Sequence, residues 1–209
     1  MPRNRDKIDA EELFMRADGL LLASRVIKLF NPSIGAATAP GSITCSSCAV
    51  ELYLKILAQL ERDEPPLRGH DLKELMQDLP RSYFLRFRKA WYASFGGKAK
   101  IDEVRRDPEW AEFPATFEDA VAGSAQAFID WRYGDTSVPK AWYLDQITQE
   151  LRNAITELKP EWEMKEGGRI LLNPKTTPAQ VKESGILMGM DWAALNNKPA
   201  PCAQASREG

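Results

Sequence analysis

Residues 43–62 read ITCSSCAVELYLKILAQLER, and their spacing decides the fold class. Cys45, Ala49, Leu52, Ile56 and Leu60 recur every three or four positions, the period that stacks side chains on one face of an α-helix. A half-buried strand needs apolar residues at every second position, and the chain offers no convincing set of that kind. Pro65-Pro66 stops the helix, because proline lacks the N–H that would extend it.

The flanking segments carry the same period. Upstream, Asp9 can cap a helix with Glu12 three residues on, and Leu13, Ala17, Leu20, Ser24 and Ile27 follow at helical spacing as far as Asn31-Pro32. The stretch from Asn31 to Ser42, NPSIGAATAPGS, reads as a loop between the first two helices. Downstream, Gly69-His70-Asp71 restarts the chain into a short helix that Asp71 can cap, with Glu74 at the capping-box position and an end near Leu79-Pro80. Phe84, Phe87, Trp91 and Phe95 predict a helix from Arg81 to Phe95, stopped by Gly96-Gly97. Lys98 to Pro114 reads as charged and irregular. Thr116 and Asp119 then mark a helix start, with Phe117, Val121, Ser124, Phe128 and Trp131 on its inner stripe up to Tyr133. Leu144, Ile147, Leu151, Ala154 and Leu158 predict a last helix from about Lys140 to Leu158, before Pro160.

The expectation is an all-α, antiparallel up-and-down bundle of four to five helices over residues 9–165. A flexible N-terminus, residues 1–8, precedes it, and a mostly irregular, poorly structured tail, residues 166–209, follows. Two apolar islands in that tail, Ile170-Leu171-Leu172 and Ile186-Leu187-Met188 with Trp192 nearby, are expected to dock on the bundle or on a partner.

An apolar share of 44% in 209 residues is enough for one sizeable core, and a net charge of -2 leaves any basic surface to be local rather than global. The opening MPRNRDKIDAEE turns charged where a signal peptide needs an apolar region, and no run of about 18 apolar residues is found. The expected location is the cytoplasm, with no membrane contact. Cys45 and Cys48 form C-x-x-C, but with Cys202 and a single His they fall short of a four-ligand zinc set. They read as small buried residues, so neither a metal nor another cofactor is expected.

Three blocks in order, A-V-E-L-Y-L-K-I-L (Ala49 to Leu57), G-H-D-L (Gly69 to Leu72) and F-I-D-W-R-Y (Phe128 to Tyr133), resemble the HEPN domain family over roughly residues 9 to 158. The resemblance implies a helical bundle, frequent homodimerisation, and a role in RNA-directed defence or toxin–antitoxin systems. It also implies partnership with an antitoxin or a minimal nucleotidyltransferase. Catalytic members are metal-independent ribonucleases with an Arg followed after four to six residues by a His. Here the only His is His70, and Arg68 and Arg62 both stand at the wrong distance from it. In such chemistry His moves the proton while Arg stabilises charge on the phosphorane, so losing the pairing removes most of the activity. The reading therefore leans away from an enzyme, with His70 and Arg132 as the residual catalytic candidates.

The ligand-binding candidates are Glu51, Lys55, His70, Asp71, Arg132 and Tyr133. The sharper expectation converges Glu51, Lys55, His70, Asp71 and Arg132 into a polar network between helices. The blander one leaves Glu51 and Lys55 as a surface pair, Asp71 as an N-cap and Arg132 in an internal salt bridge. From Arg81 to Arg106 eight basic residues face two acidic ones, which makes Arg81, Arg88 and Lys89 the RNA-facing candidates. The competing view makes the aromatics of that segment a core stripe and the cations its wet side. The leading expectation is a non-catalytic HEPN-like protein that binds RNA or a nucleotide and acts with a partner. The alternatives are an adaptor dimer whose tail recruits another protein, and a ribonuclease with a non-standard site around His70.

Overall fold

The computed structural model describes residues 9–30, 35–63, 69–125 and 142–163, together with residues 177 and 179. The expectations for residues 1–8 and for the tail beyond residue 166 fall outside those residues, save for 177 and 179. The fold is all-α, with no strand among the described residues. Among the described residues the α-helices are α1 Ala10–Phe30, α2 Gly35–Arg62, α3 Leu72–Gln77, α4 Arg81–Ser94, α5 Lys98–Val104, α6 Phe117–Ser124 and α7 Thr148–Leu158.

Helix α2 is the axis of the core. Ala49, Val50, Tyr53, Leu54, Ile56, Leu57 and Ala58 are all buried, so apolar residues cover most of the helix circumference rather than the single stripe its spacing predicts. Phe14, Ala17 and Leu21 of α1 pack against it, and Leu151, Ala154 and Ile155 of α7 join the same cluster. Phe14 meets Tyr53 at 6.1 Å between ring centroids and Ser24 meets Ser42 at 3.2 Å, so rising numbers on α1 lie beside falling numbers on α2. By length and composition the stretch Pro40–Arg62 could cross a membrane, but in this fold much of it is core.

The capping residues behave as their types dictate. The Asp9 carboxylate accepts from Glu11 N at 2.9 Å, and Asp71 accepts from Lys73 N at 2.8 Å and Glu74 N at 3.1 Å. Thr116 and Asp119 form a reciprocal capping box. Gly96 and Gly97 end α4 with φ of 78° and 98°, values that side-chain-bearing residues avoid, and Gly97 N donates to Tyr92 O at 2.8 Å.

Three boundaries and one burial differ from expectation. Helix α2 begins at Gly35 inside the expected loop: Ala36, Ala37 and Ala39 favour helix, and Pro40, which cannot bond the Ala36 carbonyl, is carried within it. The segment read as irregular contains α5, anchored by buried Ile101. The last helix starts at Thr148, after a 3-10 turn at Asp145–Ile147. Just upstream, backbone groups are committed elsewhere: Tyr143 O accepts from Trp91 Nε1 at 2.9 Å, and Tyr143 N donates to Ser124 Oγ at 3.3 Å. Leu158, expected on the inner seam, is exposed at the end of α7.

Candidate functional site

Three of the residues expected to converge do so. Glu51 on α2 is only 5% exposed and takes Lys55 Nζ at 2.7 Å on one carboxylate oxygen. The same carboxylate meets His70 Nδ1 at 2.9 and 3.1 Å, while the His70 side chain is 54% exposed. A nearly buried carboxylate needs partners, and these two supply them. Asp71 turns to the backbone of α3 as its N-cap instead. Arg132 and Tyr133 lie outside the described residues, but Leu72 N donates to Ala125 O at 3.0 Å, which ties the G-H-D-L junction to the end of α6.

On α4, Phe87 and Trp91 are buried and Phe84 is half-buried against Phe117, so the aromatics do form the core stripe. The cations beside them sort into two groups. Arg86 is held by Glu150 at 2.5 Å and by Glu157 at 2.5 and 2.7 Å, which staples α4 to α7. Arg81 and Lys89 are exposed and have no carboxylate within ion-pair distance among the described residues; Arg88 reaches Glu118 only at 3.6 Å. Beyond α4, Phe95, Ile101, Val104, Trp110 and Phe113 line a cleft of about 480 Å³ with Lys100, Glu103 and Asp107 at its rim.

The most buried polar site is one the sequence did not announce. Asp18 of α1 is fully buried and accepts from Tyr53 OH at 2.5 Å and from Arg152 Nε at 3.1 Å to each oxygen. Arg152 also lies over the Phe14 ring, 5.5 Å from its centroid. Burial pushes the Asp18 carboxyl up, more than the Tyr53 hydrogen bond and the Arg152 charge pull it down. Burial, and then the Asp18 charge, push the Tyr53 phenol well up, so it stays a neutral donor.

Two turns along α1, Arg25 donates to Gln149 Oε1 at 3.3 Å. Burial lowers its pKa and the Arg152 charge adds to that, against the pull of Asp145. Asp145 is held by Lys28 Nζ at 2.7 Å and by Ser46 Oγ at 2.7 Å, and Ser46 accepts in turn from Trp142 Nε1 at 3.1 Å. Burial raises the Asp145 carboxyl, but Lys28, Ser46 and Arg25 together bring it below the usual range. Asp18 and Arg25 are seven apart on α1 and Gln149 and Arg152 three apart on α7, so each pair shares one helix face, with Asp145 in the turn just before α7. That spacing was readable, but nothing local marks the two faces as partners.

Cys45 and Cys48 are half-buried on α2 rather than buried in the core as their reading expects, and burial raises the Cys45 thiol. No group of three His, Cys, Asp or Glu side chains able to hold a metal occurs among the described residues. Compared with protein-family models, with curated proteins and with solved structures, the chain matches none.

Proposed function

We propose that this is a non-catalytic, HEPN-like module of the cytoplasm that binds RNA or a nucleotide, forms a homodimer and works with a partner, an antitoxin or a minimal nucleotidyltransferase. The observation that carries the RNA reading is the outer face of α4, where Arg81 and Lys89 stand exposed without a carboxylate partner among the described residues and Arg88 is loosely held. Exposed cations without a carboxylate partner keep their charge available, and a row of them suits the phosphates of a polyanion. Half-buried Tyr92, a turn beyond Arg88 and Lys89, adds an aromatic edge of the sort bases stack against. The all-α bundle and the Glu51–His70 contact between the first two resembling blocks agree with the family reading.

Labelled single-stranded RNA titrated against the full chain is expected to bind with a salt-dependent affinity. The Arg81→Ala, Lys89→Ala double variant should weaken it and lower the slope of log affinity against log salt by about 1 to 2. Binding that is absent, or that neither salt nor the double variant alters, rejects the proposal.

A metal-independent ribonuclease centred on His70 is the second reading, favoured by the Glu51 carboxylate 2.9 Å from Nδ1. A carboxylate there orients the imidazole for proton transfer. The same incubations decide it: RNA recovered at full length goes against cleavage, and so does cleavage that survives His70→Ala.

A further inference from the structure

We infer that Arg25 and Arg152 together form a binding site for an oxyanion of the phosphate class, set between α1 and α7 and away from the outer face of α4. The inference does not rest on the RNA-binding surface.

The first support is unsatisfied hydrogen-bonding capacity. Arg152 is 5% exposed, and its Nη2 is buried without a hydrogen-bond partner among the described residues; Arg25 Nη1 is in the same condition. A guanidinium carries five donors in a rigid fork, and leaving charged donors out of water without acceptors is costly. Both donors belong to the α1–α7 seam, where Arg25 meets Gln149 and lies near enough to Arg152 to feel its charge, so one multivalent acceptor is suited to both.

Charge balance is the second support. Arg25, Lys28 and Arg152 are three positive groups along this seam, while Asp18 and Asp145 are two negative ones, which leaves an excess of one positive charge. Asp18 is committed to Arg152 and Tyr53, and Asp145 to Lys28 and Ser46. Arg25 has no carboxylate within ion-pair distance among the described residues, and it hydrogen-bonds the neutral Gln149. Phosphate offers acceptors in several directions and so can meet two guanidinium edges that come from different helices, the kind of recognition at which Arg excels. Since both Nη atoms are closed off from solvent, the half-buried Arg25 is the group that shifts to admit the anion.

The test is calorimetric titration of the full chain with inorganic phosphate at constant ionic strength, alongside a nucleoside monophosphate and acetate. Saturable phosphate binding is expected, and Arg25→Gln should weaken it by about tenfold or more, the worth of one charge-assisted contact. Arg25→Lys keeps the charge in place and so protects the fold; it should weaken binding by a smaller factor. Comparable binding of the two phosphates identifies the free ion, and a preference for the monophosphate identifies a nucleotide. No saturable binding, equal binding of acetate, or binding unchanged in both variants overturns the inference. The Arg81→Ala, Lys89→Ala variant should bind phosphate normally, so failure of the RNA reading and failure of this one are told apart.

Discussion

Asp18 sits in the middle of the core with no exposure, and its charge is tolerable only because Arg152 and Tyr53 surround it. Removing one member of such a pair strands the other, which costs far more than the pair contributes net. Asp18→Ala is therefore expected to destabilise the fold by about 3–5 kcal/mol, measured from urea unfolding. Asp18→Asn retains an acceptor for Tyr53 and should cost less; equal losses would show that charge is not what matters there. This triad was not legible in the sequence. Asp18 and Arg152 are 134 positions apart, and each reads locally as an ordinary polar residue of an amphipathic helix. Glu51, Lys55 and His70 were legible because the first two are a turn apart and His70 stands at the junction that folds back on them. Ser24, placed on the inner stripe of α1 by its spacing, is indeed buried there.

Helices were legible wherever a local chemical signal ends them. Asp9, Asp71, Thr116 and Gly96-Gly97 mark termini that the structure reproduces within a residue or so, because a cap satisfies orphan backbone groups using neighbours in sequence. Boundaries failed where distant groups decide them: Tyr143 is held out of helix by Trp91 and Ser124, neither visible from its own neighbourhood. The caps also carry a measurable share of stability. Asp71→Ala removes acceptors from Lys73 N and Glu74 N and should cost about 1 kcal/mol in thermal or urea unfolding, with Asp71→Ser recovering most of it. If alanine proves neutral, the short helix α3 is held by its buried Leu72, Leu75 and Met76 alone.

At the scale of the whole molecule, ion pairs that link helices distant in sequence set the response to acid. Glu157 is lowered by its hydrogen bonds to Arg86, and Asp145, despite burial, is brought below the ordinary range by Lys28 and Ser46. For carboxyls whose folded pKa is depressed, the stabilisation is complete above the unfolded value of about 4 and is lost as pH falls through the folded value. Asp18 has the opposite sign: its raised folded pKa makes the protein lose stability as pH climbs from about 4 through that raised value. Urea midpoints recorded from pH 2 to 7 should fall on the acid side below pH 4. Asp145→Asn should flatten that fall, and an unchanged acid limb in the variant would show that Asp145 does not contribute.

Helix α7 holds the partners that α1 and α2 cannot supply for themselves. Arg152 answers Asp18 across 134 positions, and Gln149 answers Arg25 across 124. During synthesis α1 and α2 can pack together with Asp18 met only by the neutral Tyr53 hydroxyl and an apolar flank still exposed, and they wait for almost 90 further residues before α7 brings the counter-charge. The protein thus spends most of its translation with its least tolerable charge uncovered, so chaperone capture and proteolysis act most strongly on chains halted before residue 152.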